Sequence, residues 1–253
     1  MAPPPSMATV KERAKVRMAV PVRDPTASRT QWGGAFLAAG LVLSLVSFTL
    51  VLTLGQPPSD AAARAQRWVQ NASTVQLSGW LGVFGNALIA AGALFLVARP
   101  VATRREIPAS ACWLLVAIGA LLFVGLDAFK AGALVPLAQG FATNQGVYLA
   151  AEGMRSILVG VGMTAMSLGT AFIFLGEADA SHRAIPTGLS YAAAACSLLT
   201  IVGALGVLAG VPVLGVLYYL AYVTFLSALF LGVKVAWLAP VEEPTPEATF
   251  SRA

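Results

Sequence analysis

The chain has 253 residues, 58% of them hydrophobic and 11% charged, where an ordinary soluble domain carries about 25% charged residues. That balance excludes a water-soluble globular domain. The net charge of +5 does not point to nucleic acid either, because the basic residues stand at the ends of apolar stretches and form no stripe interleaved with aromatics.

Residues 1–32 hold Pro3, Pro4, Pro5, Pro21 and Pro25 among basic and small polar residues, a mix too poor in apolar groups to bury a core, and are expected to form a disordered basic cytoplasmic tail. Within it, Lys11, Arg13, Lys15 and Arg17 are placed to attract anionic lipid, each being worth about 1 kcal/mol near such a surface. A spanning helix needs about twenty apolar residues, and six stretches meet that need: 33–55, 79–98, 111–134, 154–176, 187–209 and 213–238. The predicted fold class is therefore all-α, a polytopic membrane bundle of six transmembrane helices over 33–238. Thr53 and Gly55 could mark a secretory cleavage site, but the first stretch is longer than a signal core of about 7–15 residues, which favours an uncleaved first helix.

After the first span, Pro57-Pro58-Ser59-Asp60 ends one helix and can cap another, with Ser59 or Asp60 accepting from the N–H of Ala62 or Ala63. Ala61 to Val69 reads as an amphipathic helix lying on the membrane surface with Trp68 at headgroup depth. Asn71-Ala72-Ser73 matches the glycosylation acceptor pattern, a tripeptide common by chance. A second polar loop is expected over 135–153, and Gly210-Val211-Pro212 marks a tight break before the last span. Residues 239–253, with Glu242, Glu243 and Glu247, read as a short acidic tail. Small residues at helix-packing spacing, such as Gly85 and Gly92, Ser156 and Gly160, and Gly206 and Gly210, are expected to let helices approach closely. Cys112 and Cys196 both lie in apolar stretches, where small buried side chains are expected and a disulfide is not.

The charges set the orientation. Twelve of the 16 Lys and Arg residues fall before span one, between spans two and three, between spans four and five, or at the end of span six and beyond it. The positive-inside rule then places both termini in the cytoplasm of an inner or plasma membrane, with exterior loops at 56–78 and 135–153.

Membrane chemistries that depend on histidine lack it in the spans, because His182 falls in a loop. No Gly-x-Ser-x-Gly stretch, phosphate loop or Cys-x-x-Cys pair is present, so neither a metal nor a cofactor is expected. The candidate site is a polar cavity or ion-pair cluster of Asn86, Asp127, Lys130, Glu152 and Arg155. Asp127 and Lys130, and Glu152 and Arg155, each stand three apart, so each pair shares a helix face. Antiparallel spans three and four would set Asp127 against Arg155 and Lys130 against Glu152, a neutral quartet. Its plain reading is structural ion pairing; its functional reading is a solute, proton or lipid-headgroup site, since a charge deep in the bilayer costs roughly 2.5–3.5 kcal/mol and normally has a partner. Thr164, Ser167, Thr170, Ser197 and Thr200 are expected to bond their own helix backbone, and Tyr218, Tyr219 and Tyr222 to form an interfacial belt.

The run Asp60-Ala61-Ala62-Ala63-Arg64, span two leading into Arg99-Pro100, and Phe174-Leu175-Gly176 through His182-Arg183-Ala184-Ile185-Pro186-Thr187-Gly188-Leu189 are similar to a broad family of bacterial multi-pass membrane proteins of unknown function. The resemblance spans helices one to five and departs at Ala184 and Thr187. It implies the fold alone and carries over no functional residue. The leading functional reading is a non-enzymatic accessory, sensory or assembly component with the lipid bilayer as its partner. The rival is a small-solute or ion transporter using an exterior-facing charged cavity around Asp127 and Arg155, and enzymatic activity is the least favoured class.

Reporter fusions test the topology: those after Arg105 and after His182 are expected to stay cytoplasmic and one near Gln66 to be exterior, and a cytoplasmic signal at Gln66 would sink this arrangement.

Overall fold

The computed structural model describes residues 25–55, 58–97, 109–180, 184–209 and 211–238. Residues 1–24 of the expected basic tail, the acidic tail and His182 lie outside these residues; residues 25–32, expected to be disordered, are instead the first turns of α1, where a proline suits the helix start because its missing N–H has no intrahelical partner there. The described residues are helical: α1 (Pro25–Thr53), α2 (Ala61–Gln70), α3 (Ala72–Leu96), α4 (Ala109–Gly132), α5 (Leu134–Gln139), α6 (Gln145–Asp179), α7 (Thr187–Leu208), a 3-10 helix (Pro212–Leu220) and α8 (Ala221–Leu238). Six helical segments are long and apolar enough to cross a membrane, with bounds 28–53, 72–96, 109–132, 145–179, 187–208 and 213–237. This is the build of a multi-pass membrane protein.

The six long helices form a ring in chain order. α1 packs on α3, α3 on α4, α4 on α6, α6 on α7, α7 on the 3-10 helix and α8, and α8 closes on α1. Neighbours run antiparallel, as paired positions show: Gly33 lies beside Leu96 and Gly40 beside Gly85, while Gly34 meets Ala236. Several crossings are backbone on backbone. A Cβ on Gly40 would stand 2.5 Å from the carbonyl oxygen of Gly85 and 2.7 Å from the nitrogen of Ile89, and one on Gly119 would stand 2.7 Å from the carbonyl oxygen of Gly162. Such approach is how helices associate in lipid, where van der Waals packing and hydrogen bonds replace a hydrophobic drive. Gly85, Gly92, Gly160 and Gly206 all face a neighbouring helix or the 3-10 helix within this chain.

Two apolar clusters occupy opposite ends of the bundle. The larger holds Leu37, Leu41, Ile89, Trp113, Phe174 and Leu231 and fills the end where α1 begins and α8 finishes. The smaller holds Ala65, Trp68, Val75, Leu134, Val135 and Tyr148 and forms a cap at the other end. Its parts explain why helices continue beyond the expected apolar stretches. α3 begins at Ala72 and α6 at Gln145, because the cap shelters Val75, Ser78, Tyr148 and Glu152, whereas hydropathy registers only lipid-like runs. With 35 residues, α6 is about 52 Å long at 1.5 Å per residue, well beyond a hydrocarbon core of about 30 Å.

The expected α2 helix is present, and the carboxylate of Asp60 accepts from the N–H of Ala63 at 2.7 Å. Its apolar side is turned into the cap, burying Ala65 and Trp68. The Trp68 ring packs in the cap cluster with residues of α5 and Tyr148. Gly55 has φ +78°, the left-handed region that a Cβ disfavours, and so ends α1. Its carbonyl accepts from Arg67 at 2.5 Å, which ties α2 back to α1. Asn71 is the single residue between α2 and α3, its side-chain amide donating to the carbonyl of Arg67 at 2.9 Å, a structural use of the residue in the glycosylation pattern.

Adding a methyl at the crossings should strain them. Gly40→Ala and Gly92→Ala are expected to lower stability by about 1–3 kcal/mol, whereas Gly125→Ala, with nothing within 4 Å of its Cβ position, should be neutral or stabilising by up to about 1 kcal/mol. Thermal unfolding of the detergent-purified variants checks the contrast.

Candidate functional site

Between the two apolar clusters lies a cavity of about 320 Å³. Phe48 and Val51 of α1, Phe123 of α4, Met163 and Met166 of α6 and Phe225 of α8 supply apolar walls. Trp68 of α2 and Val75 of α3 are at its cap end. The polar groups on its wall include Asn86, Asp127, Lys130, Arg155, Ser44 and Tyr218. Four of the five expected site residues thus border one cavity, and Glu152 stands in the cap beside it, bonded to Trp68.

The pairing within the cluster differs from the expected one. Asp127 Oδ1 meets Lys130 Nζ of its own helix at 2.6 Å, and Asp127 Oδ2 accepts from Asn86 Nδ2 at 2.9 Å. Asn86 also donates to the carbonyl of Gly82 at 3.0 Å. Gly82 leaves the space that the Asp127 carboxylate fills, since a Cβ there would collide with it. Glu152 is drawn upward: its Oε2 accepts from Arg64 Nε at 3.0 Å, and its Oε1 accepts from Trp68 Nε1 at 3.3 Å. In place of the cross-span pairs, each carboxylate uses a partner three residues away or one brought by α2. The reason is topological: α2, expected to lie on the membrane surface, folds over the bundle and delivers Arg64 to Glu152.

Arg155 is left loosely held. Its Nη2 lies 3.9 Å from Glu152 Oε1, beyond the usual hydrogen-bond range of about 2.7–3.2 Å. The Nε is buried without a hydrogen-bond partner among the described residues. Its guanidinium lies 5.9 Å from the centroid of the Trp68 ring, a cation–π distance.

Sequence reasoning missed Arg64, Trp68 and Ser44 as parts of this neighbourhood. Arg64 and Trp68 are four apart on α2 and so share a face, which was a usable signal. Ser44, with a buried hydroxyl that finds no partner among the described residues, had none. Tyr218 and Tyr219 border the cavity, and the ring of Tyr222 meets that of Phe48 at 4.9 Å. The 3-10 geometry of Pro212–Leu220 winds this segment more tightly than an α-helix and turns Tyr218 inward. Thr170, Ser197 and Thr200 donate to their own helix backbones as expected, whereas the buried hydroxyl of Thr164 finds no partner among the described residues, and Ser197 also bonds Thr224 of α8 at 3.1 Å. Cys112 and Cys196 are free thiols.

Fold and site together define a helical bundle of multi-pass membrane build with a partly open amphipathic cavity between a packed end and a capped end. No family model matches the chain, and no curated protein or solved structure matches it.

Asp127 and Lys130 are expected to depend on each other. Asp127→Ala leaves a partly buried ammonium without its carboxylate and should cost about 3–5 kcal/mol, and the double variant Asp127→Ala/Lys130→Met should recover part of that loss. Equal losses in the single and double variants, measured by unfolding in detergent, would contradict the pairing.

Proposed function

We propose that this chain is a sensory or accessory component of an inner or plasma membrane that works by holding a small amphipathic molecule in its cavity. The observation that carries this reading is the lining. Ligand sites are commonly about 300–1,000 Å³, mostly apolar, with a few placed polar groups, and the volume here is about 320 Å³. Met163 and Met166 add side chains that adapt to irregular ligands. In this reading both termini are cytoplasmic, the cap faces the exterior, and binding is not followed by chemical conversion. The resemblance to bacterial multi-pass proteins is consistent with this setting and supplies no activity.

The transporter reading shares the cavity. Alternating access needs two arrangements of the bundle around a central site, and here the larger apolar cluster fills the opposite half, with a further void of only about 20 Å³ within it. A closed half favours binding over passage.

Full-length protein in nanodiscs is expected to show saturable binding of decanol above that of matched empty nanodiscs, lost when Val159, which lines the cavity on α6, is enlarged by Val159→Trp. Binding unaffected by Val159→Trp would remove the cavity from the account. Vesicle uptake of a solute that vanishes in Asp127→Asn would replace this reading with transport.

A further inference from the structure

The cavity wall and the cap beside it carry an unbalanced charge. Within the ion-pair cluster, Arg64, Lys130 and Arg155 share the two carboxylates of Asp127 and Glu152, three positive charges to two negative, and the further cap charges Arg67 and Asp60 are one of each sign. The imbalance is localised by the hydrogen bonds. Asp127 is satisfied on both oxygens, by Lys130 and Asn86. Glu152 is satisfied on both oxygens, by Arg64 and Trp68. What remains is Arg155, with a 3.9 Å approach to an oxygen already taken by Trp68 and a buried Nε that has no acceptor among the described residues. The Arg155 side chain is 26% exposed and borders a mostly apolar cavity, and its planar fork matches a carboxylate in two parallel bonds.

We propose that the cavity takes a single-tailed monocarboxylate amphiphile, its head on Arg155 and its tail toward Met163 and Met166. This rests on the cavity-binding reading above and adds the ligand's charge. One uncompensated positive charge suits a monoanion better than a phosphate monoester, which carries closer to two negative charges near neutral pH. The volume, at the lower end of ligand sites, suits one tail. The wall is most loosely packed at the 3-10 helix, the side from which an amphiphile would enter in this proposal. The 3-10 helix packs on α7 and α8 and scarcely touches α1 or α6, and Tyr219, which borders the cavity, is 49% exposed.

The test measures saturable binding of decanoate, decanol, decyl phosphate and acetate to the full-length protein in nanodiscs, with matched empty nanodiscs subtracted. Decanoate is expected to bind about tenfold to a hundredfold more tightly than decanol, as one charge-assisted contact provides. Acetate, with no tail, should bind much more weakly. Arg155→Gln should bring decanoate to the level of decanol while leaving decanol binding in place, and Arg155→Lys should keep a reduced preference. Equal binding of decanoate and decanol by the unsubstituted protein would overturn the carboxylate assignment and leave the cavity-binding reading standing. Decyl phosphate binding as tightly as decanoate would overturn the monoanion. Failure of every probe to bind in a manner sensitive to Val159→Trp would overturn both readings, and the comparison within the unsubstituted protein decides even where Arg155→Gln does not fold.

Discussion

In lipid, two apolar helix faces gain nothing by leaving the solvent, because the solvent is equally apolar, and what holds a bundle is the closeness with which its backbones can approach. In this protein that closeness is concentrated at glycines. α1 meets α3 at Gly40 and Gly85, α1 meets α8 at Gly34 and Gly232, and α4 meets α6 at Gly119 and Gly162. The half of the bundle around Leu37, Ile89, Trp113 and Phe174 packs solid. Toward the cap, larger side chains such as Phe48, Phe123 and Trp68 stand at the inner wall, and the ring encloses space there.

The same apolar surroundings govern the charges. A buried carboxylate is tolerated when its oxygens are occupied, and Asp127 and Glu152 both meet that condition with local or cap-borne donors. Gly82 contributes through absence, since any side chain there would displace Asp127. The roof and the charge cluster are thus one structure: Glu152 anchors Arg64 and Trp68 of α2, and Trp68 is also the ring beside Arg155. Arg155 stands at the joint between roof and cavity, with a long contact to Glu152 and an Nε that has no acceptor among the described residues.

Much of the fold was readable from composition and pattern. Six apolar runs, the Asp60 cap and the packing role of Gly85, Gly92 and Gly160 follow from bilayer thickness, helix-end chemistry and helix-helix geometry. The cluster residues Asn86, Asp127, Lys130 and Arg155 stood out because charge or amide in a span is costly and therefore rare. The partners were not readable. Antiparallel order alone set Asp127 against Arg155, but an interaction within one turn competes with one across the bundle, and for Asp127 the local contact with Lys130 won.

The sequence by itself determined that the chain is a helical membrane bundle and which few polar side chains must be accounted for, because hydropathy and helix periodicity are local properties. Only the tertiary structure decided that α2 folds inward, that Arg64 reaches a carboxylate 88 positions away, that the 3-10 helix turns Tyr218 inward, and that one guanidinium is left short of an acceptor. Those outcomes depend on how helix ends pack against one another. That is a competition among distant surfaces, which no window along the chain contains.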